Sequence, residues 1–180
     1  MDKVEKYARK NNLVKHSVIG DEKFHNFFKE IKVSIVIEIG TYRGISTAYM
    51  AQFADKVYAF DIVDYPEKYK IWYDLNVSNK ISFHVVNGRC EENENFEGIF
   101  PKNNQAIEIK TILDDINFDL AFIDGNHDYK NVKADFELVK KCGRVLFHDV
   151  DPQFTQVDKF IKELGNVKVT GNLGYWEKIK

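Results

Sequence analysis

Five apolar runs punctuate the chain: VSIVIEIG (33–40), KVYAFDIVD (56–64), ISFHVVNG (81–88), LAFID (120–124) and RVLFHDV (144–150). Each reads as a strand, and VSIVIEIG is a continuous β-branched run ending in glycine, as expected of a strand buried on both faces. Stretches of helical spacing separate them, at 45–55, 66–75, 106–116, 129–141 and 154–164. Strands alternating with helices impose an α/β fold with a mostly parallel sheet. Two further segments, VKVTG and YWEKI, read as an antiparallel hairpin turning around Asn172–Gly174. Before the first strand, 2–11 and 21–31 read as short helices; Phe24, Phe27, Phe28 and Ile31 recur at helical spacing. The 180 residues suit one domain, 1–180, in which 1–31 forms a helical cap. Residues 91–104 are polar around FEGIF, and with Gly98 and Pro101 they read as a loop able to act as a lid.

Charge and cysteine usage narrow the function classes. A formal net charge of −2 argues against a nucleic-acid footprint made by bulk charge. No apolar run has the length of a membrane span. The opening MDKVEKYARKNN lacks the apolar region of a secretory signal. Cys90 and Cys142, far apart, read as two reduced thiols, so the expected location is cytoplasmic.

In open parallel sheets ligands bind beyond the carboxyl ends of the strands. The polar residues of this chain gather at those ends: Glu38 to Gly44, Asp61, Asn87 to Cys90, Asp124 to Asp128, and His148–Asp149. In EIGTYRG, Gly40 turns the chain off the first strand and Gly44 starts the next helix close to a ligand. That helix N-terminus offers N–H groups to an anion, most plausibly a carboxylate. Asp61, about twenty residues on, suits ribose hydroxyls. Tyr42 stands where a second glycine would allow a pyrophosphate, which favours a nucleoside ligand of another kind. His16, His25 and His84 lie off this rim. Tyr42, Tyr65, Trp72 and Tyr73 read as packing residues, with an aromatic wall as the rival role.

FIDGNHDY (122–129) admits two readings. Asp124-Gly125 is a good turn pair, and His127 can cap the helix that follows. Equally, a carboxylate and an imidazole at a strand end can bind metal or move a proton.

Taken together, VIEIGTYRGIST, AFDIVD, AFIDGNHDY and VLFHDV resemble the class I S-adenosylmethionine-dependent methyltransferases. More narrowly, they are similar to small O-methyltransferases with E-x-G-x-[YF]-x-G-x-S, IDG-[DN]-H-x-Y and HD motifs. The resemblance covers roughly 33–150 and implies a Rossmann-like fold. It implies that Glu38, Gly40, Thr41, Gly44 and Ser46 hold the methionine part of the cofactor, Asp61 its ribose, and Gly88, Arg89 and Cys90 the adenine side. It implies a divalent cation, Mg²⁺ or Mn²⁺, on Asp124 and Asp149, with His148 as a further ligand or partner. His127 falls where catechol-type relatives carry a catalytic lysine, which makes it the expected base beside Asp124. Val150 and Asn126 depart from the pattern, since some relatives carry ligands there.

The expected activity is methylation of a hydroxyl on a small acceptor such as a sugar or natural product. The rivals are a non-catalytic S-adenosylmethionine or S-adenosylhomocysteine binder and an NAD-binding domain. A short cap implies an open site, which leaves room for a group on a larger molecule or for a partner chain to close it.

Overall fold

The computed structural model describes residues 2–15, 17–86, 108–153 and 155–179. Seven strands, β1 (Ile35–Ile39), β2 (Lys56–Asp61), β3 (Ile81–Val85), β4 (Leu120–Ile123), β5 (Arg144–Phe147), β6 (Val167–Thr170) and β7 (Leu173–Glu177), form one sheet of order β3-β2-β1-β4-β5-β7-β6. The first five are parallel, and β7 runs antiparallel to both β5 and β6. The chain builds outward from β1 to β3, then returns to β4 on the other side of β1. The strand order therefore switches between β1 and β4, where a crevice opens at the carboxyl ends.

Successive residues of the central strands β1, β2, β4 and β5 feed opposite cores. Val36, Val57, Leu120, Phe122 and Leu146 pack under α1 (Lys3–Lys10), α2 (Glu22–Glu30), α3 (Ile45–Phe53) and α4 (Glu67–Asp74). Ile37, Phe60, Ala121, Ile123, Val145 and Phe147 pack against α5 (Ile109–Leu113), α6 (Tyr129–Val139) and α7 (Thr155–Leu164). This two-sided burial is why the runs are continuously apolar.

The N-terminal helices are capped by Asp2 and Asp21, whose carboxylates accept first-turn N–H groups. Phe24 and Phe28 are fully buried beside Tyr49. His25 is buried off the rim, with Nε2 2.7 Å from the Ile19 carbonyl and Nδ1 3.1 Å from Asp2. It ties the start of α1 to α2.

Three boundaries differ from the sequence reading. The hairpin turns at Gly171–Asn172, not through Gly174, which pairs with Phe147 and Val169 inside β7. Gly171 supplies the left-handed turn (φ +63°), and a Cβ at 174 would lie 3.1 Å from Val150 and Val167 side chains. β2 stops at Asp61 because its Oδ1 accepts the Val63 N–H at 3.1 Å and folds the chain back. β5 stops at Phe147 because Asp149 takes φ +55°. No helix among the described residues is long and apolar enough to cross a membrane. Cys142 is a free thiol.

Candidate active site

The loop after β1 is built around a buried acid. Glu38 is fully buried, and its two oxygens accept the hydroxyls of Ser46 at 2.6 Å and Thr47 at 2.5 Å. Strand β1 is thereby tied to the first turn of α3. Burial pushes the Glu38 carboxyl up to about 8; the Ser46 and Thr47 hydroxyls oppose the rise, and Asp124 and Asp61 add to it.

Gly40 (φ +91°) meets the other half of the site directly: a Cβ there would lie 2.2 Å from the Asp124 carbonyl oxygen. Gly44 has φ +74°, but its close neighbours are protein. A Cβ would stand 2.7 Å from Trp72 Nε1 and 2.8 Å from Lys68 Cβ, and the Gly44 carbonyl accepts the Trp72 N–H at 2.7 Å. Close packing of α4 behind the loop is thus by itself enough to require glycine at 44, which also lines the cleft described below. Tyr42 also adopts a left-handed backbone (φ +46°), uncommon outside glycine. Its ring packs edge-on against Tyr65, centroids 4.8 Å apart; Trp72 is buried and Tyr73 is exposed.

Asp61 holds this loop in shape. Its Oδ2 accepts the N–H groups of Thr41 at 2.8 Å and Tyr42 at 2.6 Å. The carboxylate expected to meet ribose is thus engaged with backbone, and it does not line the cleft described next.

Across β1, the ends of β4 and β5 bring two carboxylates and two imidazoles together. His148 Nδ1 lies 2.9 Å from Asp124 and 3.3 Å from Asp149, and His127 Nε2 lies 2.9 Å from Asp149. Burial opposes a charge on His148, but its bonds to Asp124 and Asp149 prevail and lift it to about 10. The bond to Asp149 likewise raises His127. Burial works to raise Asp149, yet its two histidine partners hold it well below the usual carboxylate range. Burial raises Asp124, against the His148 bond. His127 does not cap α6; Asn126 Oδ1 accepts the Asp128 N–H at 2.8 Å in that place.

The sequence reading missed Asn172. Its side-chain amide nitrogen lies 3.0 Å from His148 Nε2, and its carbonyl accepts the Val150 N–H at 2.9 Å. A neutral Nε2 accepts the amide N–H and a protonated one turns to the amide oxygen, so the contact serves both states. The only signal in the sequence was a hairpin predicted after the fifth strand, whose turn must come back beside that strand's end.

The two halves share a cleft of about 690 Å³, lined by the 40–46 loop, by Asp124, His127, His148 and Asp149, by Asn172, and by Lys15, Ser17, Val18, Gly20 and Asp21 of the cap. Gly88, Arg89, Cys90 and the 91–104 loop lie outside the described residues.

Several solved structures share this fold. An O-methyltransferase described as putative, from Klebsiella pneumoniae, is 15% identical, with a TM-score of 0.64 over 99% of this chain and 91% of that one. The O-methyltransferase TomG from Streptomyces achromogenes, in complex with S-adenosylmethionine, is 16% identical (TM-score 0.65; 99% and 91%). The O-methyltransferase from Bacillus cereus, in complex with S-adenosylhomocysteine, is 16% identical (TM-score 0.63; 99% and 92%). No curated protein sequence matches the chain. Residues 37–150, from β1 to the turn after β5, match the Methyltransferase domain family, and on that span the chain belongs to it.

Proposed function

We propose that the chain is an S-adenosylmethionine-dependent O-methyltransferase acting on a small hydroxylated acceptor. The observation that carries this reading is the contact of Gly40 with the Asp124 backbone, which sets a nucleoside-type loop and a histidine–carboxylate cluster on one cleft. The structures of relatives holding S-adenosylmethionine or S-adenosylhomocysteine support it.

The loop fits the cofactor's amino-acid end. Helix α3 has glycine at its N-cap and no side-chain capping bond, and Ile45 and Ser46 line the cleft. Uncapped first-turn N–H groups suit a carboxylate. When bound, the cofactor supplies a methyl group activated on a sulfonium. The chain's own residues then align the acceptor and remove its proton. A neutral His127, held by Asp149 at Nε2, serves as the proton acceptor. Asp149 strengthens that base and fixes its ring, and His148 spans Asp149 and Asp124.

The same cluster fits a divalent cation. Asp124, His127 and Asp149 each offer a ligand atom, all within 4.8 Å of one another. Two carboxylates and an imidazole suit Mn²⁺ or a similar transition ion better than Mg²⁺. The ion would lower the pKa of an acceptor hydroxyl. With such an ion bound, His127 would serve as a ligand and not as the base, and His148, 2.9 Å from Asp124 and 3.3 Å from Asp149, would stay the further ligand or partner.

Calorimetry with S-adenosylmethionine, S-adenosylhomocysteine and NAD tests the reading. The first two should bind and NAD should not. Binding of NAD alone would refute it, and cofactor binding without methyl transfer to any hydroxylated acceptor would make the chain a binder only.

A further inference from the structure

The carboxylates lining the cleft are all engaged. Asp21 accepts the Lys23 N–H at 2.7 Å, Asp124 faces His148, and Asp149 faces His127. The cations are not. Lys15, exposed on the cap, and Arg43, half-buried in the loop, line the same cleft, and neither has a hydrogen-bond or ion-pair partner among the described residues. Among the described residues Arg43 Nε is buried without an acceptor, and its guanidinium carbon lies 5.2 Å from the centroid of the Tyr42 ring. Asp61, at the end of the neighbouring strand, is occupied by the Thr41 and Tyr42 N–H groups. A half-buried guanidinium with an unmet N–H is unfavourable until an anion arrives. The turn does not require arginine, because the motif leaves this position open.

The cofactor does not balance these charges. Its sulfonium and ammonium outnumber its one carboxylate, so its arrival makes the cleft more positive. We infer that the acceptor supplies the missing charge: it is an anionic hydroxylated molecule whose carboxylate or phosphate group is held by Arg43 and Lys15. The inference rests on the methyl-transfer reading. The planar fork of arginine matches either anion with two parallel hydrogen bonds. In the reaction the acceptor oxygen bonds the methyl carbon as the carbon–sulfur bond breaks. The bonding pair stays on sulfur, and the hydroxyl proton passes to His127.

Side-chain nitrogen NMR tests this with inorganic phosphate as the probe. The Arg43 Nε–H signal, assigned by its loss in Arg43→Gln, is followed as phosphate is added to protein saturated with S-adenosylhomocysteine. A saturable shift is expected, weakened about tenfold in Lys15→Gln, the scale of one charge-assisted contact. Glucose 6-phosphate should then displace phosphate at lower concentration than glucose, and 3,4-dihydroxybenzoate at lower concentration than catechol. Three outcomes overturn the inference: an Arg43 signal blind to phosphate, neutral members competing as well as anionic ones, or an Arg43 signal that moves with S-adenosylhomocysteine and thereafter ignores phosphate. The last assigns Arg43 to the cofactor's carboxylate. Failure of S-adenosylhomocysteine to bind, read separately by calorimetry, refutes the methyl-transfer reading instead; the phosphate titration is then run without it.

Discussion

Replacing Glu38 with glutamine should change how stability depends on pH more than it changes stability itself. The Glu38 carboxyl lies near 8 in the folded chain against an ordinary 4.5. Between those values the folded state holds a proton that the unfolded state has released. The contribution is therefore present in full below the unfolded value and is lost as pH rises through the folded one. One proton of difference amounts to about 1.4 kcal/mol per pH unit. From pH 5.5 to 7.5 the wild type should lose about 2.5 kcal/mol through this group alone. Glutamine is neutral throughout and keeps one oxygen to accept from Ser46 or Thr47, so Glu38→Gln should lack this slope. Urea unfolding of both proteins at three pH values, compared as a difference, cancels every other titrating group. The difference should fall steadily as pH rises. A difference that stays constant within about 0.5 kcal/mol would refute the reasoning, because it would mean that the two hydroxyls hold Glu38 ionised despite its burial.

Gly40→Ala forces a Cβ into the Asp124 carbonyl at a left-handed φ. It should cost at least about 2 kcal/mol, which a thermal melt reads as a drop of about 4–8 °C. Asp61→Ala leaves the Thr41 and Tyr42 N–H groups without their acceptor and removes the expected ribose partner. S-adenosylhomocysteine should bind about 5–150-fold more weakly by calorimetry, and unchanged affinity would remove Asp61 from the cofactor site. Asp149→Asn takes away the carboxylate that raises His127. The base then loses its proton at lower pH, so the rising limb of the pH–rate profile should move to lower pH, and His127→Ala should abolish that limb. Asp124→Asn and Asp149→Asn should each eliminate any stimulation of methyl transfer by added Mn²⁺ while sparing cofactor affinity; methyl transfer that survives exhaustive chelation unchanged would show that no ion is needed.

The parallel core was legible because burial on two faces leaves an unbroken apolar run, as in β1 and β4. The rim was legible for a related reason: polar residues directly after such a run must sit where the sheet ends. Partners were not legible, because they come from distant segments. Nothing around Asp61 shows that its carboxylate closes onto N–H groups twenty residues earlier. At Gly44 the sequence suggested clearance for a ligand but gave no sign of Trp72 and Lys68, which belong to the next helix and crowd the same position. His127 read equally as cap or base until Asp149 stood 2.9 Å away. Asn172 carried no chemical signature at all; its role depends on β7 pairing with β5, a register the local pattern misplaced.

The approach of Gly40 to the Asp124 carbonyl has a consequence for how such an enzyme can diversify. On the proposed reading it joins the loop that receives the methyl donor to the first carboxylate of the acceptor side, backbone to backbone, with no side chain between them to lengthen or shorten. The span between donor and Asp124 is therefore a fixed gauge, set by the packing of β1 on β4. Substitutions elsewhere can change what enters the cleft and how it is oriented. The adjustable parts are the wall from the N-terminal cap, the turn at Asn172 and the 148–150 bend, each hung on the sheet by a few hydrogen bonds. A new acceptor is thus accommodated by reshaping those walls, while the reach of the methyl group stays where the strands put it.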